Sequence, residues 1–276
     1  MIRTSPSELV LRDDCGRAHE FKYRQKLRLK DEKRSPTLAS GTAVHYVVET
    51  WCRDYSGIVP GGDDLEARGR ECLIDEFKAD EDGGGRNVKK FLPGVVRALK
   101  RVPAWVWQEE WYVETDVVGR FGRSQEGVAV VELHGRPDMW RLIDDEAPSV
   151  EIIDVKTTDH QQLDYVLWTP QIRMYAACLQ QAMSDRLITY RYLCVPTGVR
   201  GEGAAETTLF VLTREAYDVT EIEILNYAKA LGEPAQARYA RRCAYCDYAP
   251  ICTAIITGAE AAGITEELYI VKKKEE

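Results

Sequence analysis

The feature that most constrains this chain runs from Gly135-Arg136-Pro137-Asp138 to Glu151-Ile152-Ile153-Asp154-Val155-Lys156-Thr157. Apolar residues at 150, 152, 153 and 155 predict a buried strand over Val150–Lys156 rather than a helical turn. Strand side chains alternate between faces, so Asp154 and Lys156 project together while Ile153 and Val155 point the other way. An acid and a lysine on one face of a buried strand are costly unless they pair, bind metal or line a cleft. Any fold of this chain must therefore give that face a partner.

The chemistry that uses such a face is metal-assisted phosphodiester hydrolysis. Asp138 and Asp154 are expected to supply hard oxygen ligands to magnesium or manganese, with the backbone carbonyl of Val155 as a further ligand. Lys156 is expected to hold or deprotonate the attacking water and to offset charge developing on the phosphorus centre. A bare Asp-x-Lys match is more often a surface ion pair. Here the preceding Arg-Pro-Asp stands at hairpin distance and the flanks are apolar, which favours a site.

Gly-Arg-Pro-Asp138 followed by Asp154-Val-Lys156 resembles the paired motif of the PD-(D/E)xK nucleases, with Asp where the family accepts Asp or Glu. Three further landmarks resemble the RecB-like branch of that superfamily. The first is Gly41-Thr-Ala-Val-His45-Tyr-Val-Val-Glu49 in a helix predicted near 41–56, where His45 and Glu49 share a face. The resemblance implies that His45 completes the metal's ligand set and that Glu49 orients His45 or a metal-bound water. The second is Gln171-Ile-Arg-Met-Tyr175, in a helix predicted from about Pro170 to Met183. That helix packs Met174, Ala177, Cys178 and Leu179 inward, and the resemblance places Gln171 and Tyr175 beside the metal and the DNA backbone. It also implies a glutamate on the strand before the Gly-x-x-Asp turn, and Glu110 is the choice among Glu109, Glu110 and Glu114.

The third landmark is Cys243-x2-Cys246-x5-Cys252, with Cys15 far upstream. Thiols spaced so closely invite a shared metal, and four sulfurs hold zinc or an iron-sulfur cluster equally well by ligand type. The chain is similar here to the AddB-type and CRISPR adaptation nucleases, which implies a 4Fe-4S cluster, with structural zinc as the alternative. Such a clasp would join chain ends far apart in sequence and so constrain the unfolded chain. Cys52, Cys72, Cys178 and Cys194 sit among apolar neighbours and read as buried thiols.

Eight cysteines without an export signal favour a reducing cytoplasm over a disulfide framework, and no apolar run is long enough to span a bilayer. The net charge of -8 runs against phosphate binding, so its distribution matters more than its sum. Eight Lys or Arg face three acids between Arg17 and Arg34; a second cluster holds Lys89, Lys90, Arg97, Lys100 and Arg101; a third holds Arg238, Arg241 and Arg242. If the clasp forms, it brings the first and third together as a basic entrance. Trp105, Trp107 and Trp111 alternate along a predicted strand and read as sheet packing, with base stacking as the sharper alternative.

The expected fold is α/β: a restriction-endonuclease-like mixed sheet flanked by helices, with a helical N-terminal part over 1–104 and a catalytic core over 105–232. A four-cysteine segment over 233–260 and a charged tail over 261–276 complete a single nuclease domain. Helices are predicted near 64–79, 88–101 and 214–231, and strands near 105–118, 128–134, 188–195 and 206–212. The expected activity is that of a magnesium- or manganese-dependent DNA exonuclease in phage recombination, CRISPR adaptation or repair. The expected partner is DNA, single-stranded or a duplex end; a homo-oligomer and recombination or CRISPR adaptation proteins are compatible companions. The competing classes are a DNA-binding or structural subunit with an idle nuclease site and a zinc-ribbon nucleic-acid-binding module.

Overall fold

The computed structural model describes residues 1–29, 36–77, 84–124, 127, 129–158, 170–198, 205–206, 209–234, 243 and 246–271. The chain opens with β1 (Ile2–Thr4), α1 (Pro6–Asp14), α2 (Gly16–His19), a π-helical turn over Glu20–Arg24 and β2 (Leu27–Leu29). Four helices follow: α3 (Pro36–Asp54), α4 (Gly62–Phe77), α5 (Gly84–Leu99) and α6 (Ala104–Gln108). Next come β3 (Tyr112–Val113), β4 (Val117–Arg123), β5 (Ala129–Gly135), β6 (Met139–Ile143) and β7 (Ser149–Thr158). Then α7 (Gln171–Ala182) leads to β8 (Leu187–Pro196), β9 (Ala205–Glu206), β10 (Phe210–Val211) and α8 (Arg214–Leu231). Last come α9 (Ala249–Thr257), α10 (Ala261–Leu268) and β11 (Tyr269–Val271). Contacts divide the chain into two units, one of residues 1–32, 121–133 and 221–276, the other of 33–120 and 134–220.

In the second unit, apolar spacing builds the core. Val88, Leu92, Val95 and Leu99 recur at helical intervals and give α5 one buried stripe. It packs with Val44, Val47 and Val48 of α3 against Ile153 and Val155 of β7 and Leu193 and Val195 of β8. Full burial of each such side chain contributes roughly 1.5–3 kcal/mol. The sheet runs β10-β8-β7-β6-β3, with β9 paired to β8. β6 and β7 form an antiparallel pair, with Arg141 opposite Glu151. β7 and β8 are parallel from Ser149↔Leu187 to Thr158↔Pro196. Parallel neighbours need a crossover, and α7 lies on it. This is a mixed α/β architecture of the restriction-endonuclease-like kind.

In the first unit, Ser5 caps α1 by accepting the Glu8 N–H at 3.2 Å, and Pro6 fills the first helical turn where it forfeits no bond. β1 runs parallel to β5, and β11 pairs antiparallel with β2. Phe21, Leu27, Ile251 and Tyr269 form a small apolar cluster with Tyr248 and Cys252 against it. Within the segment read as a charged tail, α10 and β11 are ordered elements.

The strand expected over 105–118 is not continuous. Pro103 sits at the start of α6, which takes Trp105 and Trp107 into a helical turn, and only Tyr112–Val113 and Val117 onward are extended. Trp107 and Trp111 are buried, and the Trp111 indole N–H donates to the Val106 carbonyl at 2.8 Å. These rings are core, not a stacking platform. β6 escaped the sequence reading because Arg141 sits at its centre, a charged residue that breaks the strand pattern. The strand expected near 206–212 is two short pieces, β9 and β10. Among the described residues, no helix is long and apolar enough to cross a membrane.

Candidate active site

The second unit gathers the acid-lysine face and the His45 helix at one place. Gly41, His45 and Glu49 recur every four residues along one face of α3. That face comes so close to β7 that a Cβ at Gly41 would lie 2.7 Å from the Thr157 hydroxyl, so any larger residue must displace that hydroxyl. The His45 Nδ1 then lies 3.5 Å from the Asp138 Oδ2 and 3.6 Å from the Glu49 Oε1. Asp138 is fixed from two sides. Its Oδ2 accepts the Val155 N–H at 2.8 Å, and its carbonyl accepts the Glu114 N–H at 3.1 Å. Across the strand face, Lys156 ion-pairs with the Oδ2 of the buried Asp154.

Helix α7 closes another side. The Gln171 amide donates to the Tyr175 hydroxyl at 2.7 Å. A Cβ at Gly135 would lie 2.6 Å from the Tyr175 ring, so the glycine of Gly-x-x-Asp makes room for that ring. The sequence reading did not use this function of Gly41 and Gly135; small residues fixed at a set distance from each motif were the available signal. It weighed Glu114 only as a metal-site acid beside Glu110; its φ of 45° is a strained left-handed conformation for a residue with a Cβ, and its N–H braces the Asp138 backbone.

Electrostatics mark the group as incompletely balanced. Burial, and then the charge of Asp138, push the Asp154 carboxyl up to about 6. Burial also raises Asp138, against the pull of His45 and Lys156. Burial opposes the Lys156 charge, but Asp154 and Asp138 outweigh it and raise that group. His45 is raised likewise, burial being overcome by its hydrogen bond with Glu49 and by the charge of Asp138. The Tyr175 hydroxyl is pushed up to about 12 by burial, and the charges of Asp154 and Asp138 act on it in the same direction. Among the described residues, three carboxylates thus share one lysine and one histidine, a surplus of negative charge that a divalent cation would offset.

The donor set fits such an ion. His45, Glu49 and Asp138 each offer one ligand atom within 4.8 Å of the others. Glu49 stands in this grouping, while Asp154 pairs with Lys156 through its Oδ2. Glu110 is exposed in the turn before β3, outside this grouping. Its neighbour Glu109 pairs with Arg141 at 2.6 Å.

A profile of the PD-(D/E)XK nuclease superfamily matches residues 3–253. The chain belongs to the PD-(D/E)XK nuclease superfamily. Such nucleases act with divalent metals, so a candidate acidic metal centre has a place in its chemistry. No curated protein matches the chain. The crystal structure of SSO0001 is similar at 14% identity, covering 78% of this chain and 97% of that one, with a TM-score of 0.33, too slight a likeness to argue from.

The four cysteines of the spaced motif, Cys15, Cys243, Cys246 and Cys252, lie in the first unit. The Cys246 thiol is raised by burial, and Cys15 and Cys243 each lie near enough to Cys246 to add to the rise. Cys252, in α9, has the Arg17 guanidinium 3.7 Å from its sulfur. Of the basic clusters, Arg238, Arg241 and Arg242 lie outside the described residues, as do Lys30, Lys33, Arg34 and His160. Within the first cluster, Arg24 donates to the Leu231 carbonyl, so part of that charge is used to hold the fold.

Proposed function

We propose that this nuclease is a magnesium- or manganese-dependent DNA exonuclease of the RecB-like branch, carrying a 4Fe-4S cluster on Cys15, Cys243, Cys246 and Cys252. The observation that carries the nuclease reading is the meeting of His45, Glu49 and Asp138 beside the buried Asp154–Lys156 pair. In this reading His45, Asp138 and Asp154 hold the ion with the Val155 carbonyl, and Glu49 either joins them or orients His45. The ion supplies Lewis acidity toward the scissile phosphate. Lys156 holds the attacking water and offsets charge on the phosphate oxygens. Gln171 and Tyr175, linked by their own hydrogen bond, orient the DNA backbone at the Tyr175 hydroxyl. The nearness of Cys15 and of Cys243 to Cys246 supports a shared group at the clasp, and zinc is the other outcome there.

End-labelled linear DNA and closed circular DNA, each with magnesium or manganese, test the activity. Release of nucleotides from the linear form alone is expected, with Lys156→Ala and Asp154→Ala inert. Hydrolysis that persists in both variants overturns the site, and cutting of the circle overturns the exonuclease reading. Anaerobically purified protein should be brown and contain iron; colourless protein with stoichiometric zinc would replace the cluster by zinc. A recombination, repair or CRISPR adaptation setting and a cytoplasmic location belong to the same proposal, as does any ring-forming self-association.

A further inference from the structure

Two aromatic rings stand on the sheet face that carries the site. Residues directly opposite one another on neighbouring strands share a face. Tyr112 of β3 opposes Trp140 of β6, and Trp140 opposes Ile152 of β7. Side chains alternate along β7, which is regular throughout its pairing with β8, so both rings share the face of Ile152, Asp154 and Lys156. Val113, Met139 and Ile153 take the other face, where they pack with side chains of α3 and α5.

The two rings lie on each other, with centroids 4.1 Å apart and planes 15° from parallel. They are not equally covered. Trp140 is 6% exposed and Tyr112 45%, so the Tyr112 ring shields the indole with one side and turns the other to solvent. Cross-strand packing accounts for the covered side alone. The same two strands run into the site: two residues beyond Tyr112, the Glu114 N–H donates to the Asp138 carbonyl. By strand rise and strand spacing, the Tyr112 backbone lies about 8 Å from that of Asp138. The sugar of a single nucleotide spans such a separation.

We infer that the open side of Tyr112 stacks the base of the nucleotide whose phosphate is cleaved, and that the substrate is therefore DNA with an unpaired end. The inference rests on the nuclease reading above and names the substrate class of that site. Every base has a flat face, so a stacking contact holds a strand without regard to its sequence, as a nuclease that must pass many nucleotides requires. A base within a duplex has both faces covered by its neighbours and must leave the stack to reach a side chain. An unpaired base turns a face to Tyr112 without that cost.

The test compares full-length wild type, Tyr112→Phe and Tyr112→Leu. Leucine keeps apolar cover over Trp140 but has no flat face, and phenylalanine keeps both. A single-stranded oligomer of iododeoxyuridine is bound in calcium and irradiated with long-wavelength ultraviolet light, and the crosslinked residue is identified by mass spectrometry. Wild type should crosslink at Tyr112, Tyr112→Phe at the same position, and Tyr112→Leu not there. With single-stranded oligothymidylate in magnesium, Tyr112→Leu should raise KM on the order of tenfold and Tyr112→Phe should not. An unchanged kcat in both variants would show the loss to be one of binding rather than of fold. Absence of the wild-type crosslink at position 112, or an unchanged KM in Tyr112→Leu, overturns the stacking contact alone, provided that wild type degrades the oligomer. A Tyr112→Leu defect of equal size on a blunt duplex overturns the assignment to an unpaired end. Failure of wild type to cut any DNA overturns the nuclease reading and the stacking contact with it.

Discussion

Two buried glutamate or aspartate side chains on one strand have opposite surroundings. Glu151 and Asp154, both on β7, are almost equally buried, at 1% and 2% exposure. Glu151 forms ion pairs with Arg141 at 2.8 Å and with Arg191 at 2.5 Å. Those guanidiniums lie over Trp111, 4.9 Å from the ring, and Trp105, 5.2 Å from it, and Arg141 also holds Glu109. Two acids meet two arginines, and the charge closes. Three residues along, Asp154 meets the like charge of Asp138, which itself faces Glu49, and among the described residues Lys156 and His45 answer them. Burial of a strand carboxylate is therefore not what marks a site here. The unfilled charge balance is, because a desolvated surplus persists only where something else supplies the counter-charge.

The sharpest way to break this comparison is to remove each acid in turn. Glu151→Ala leaves two arginines without their buried partner and should cost about 3–5 kcal/mol of stability, read by urea unfolding. Asp154→Asn removes a like charge beside Asp138 and should leave the melting temperature equal or higher while metal-dependent hydrolysis falls on the order of 10³-fold. Equal destabilisation by both changes would erase the distinction.

A smaller effect is expected where the backbone makes room for the site. Gly135→Ala must displace the Tyr175 ring, so hydrolysis should drop about tenfold or more at a stability cost of roughly 1–3 kcal/mol. Gly41→Ala meets only the Thr157 hydroxyl, and Thr157→Ala in the same chain should restore most of what it loses. Rescue that fails would place the need for Gly41 elsewhere.

The smallest effect separates the two cysteine populations. Burial pushes Cys52 and Cys178 up to about 12 and Cys194 up to about 11, so these thiols stay protonated at pH 8. Brief iodoacetamide treatment of metal-stripped native protein, followed by mass spectrometry, should label Cys15, Cys243, Cys246 and Cys252 and spare Cys52, Cys178 and Cys194. Labelling of Cys52 at a similar rate would contradict its burial.

The sequence by itself determined the elements whose signals are local. The apolar stripe of α5, the strand pattern of β7 and the i, i+4 pairing of His45 with Glu49 or of Gln171 with Tyr175 lie within a few residues. Their periods survive without knowledge of partners. The family was legible too, because its motif residues stand on such elements. Where a long-range partner decides the outcome, the sequence was silent or misleading. Alternating tryptophans looked like a strand, yet α6 turns them inward, and Arg141 hid β6 until Glu151 appeared opposite it. Only the tertiary structure showed that Glu49 stands beside His45 and Asp138, which glycine yields to which ring, and that Glu109 pairs with Arg141. Each of these depends on distances between residues far apart in the chain, and no local period encodes those distances.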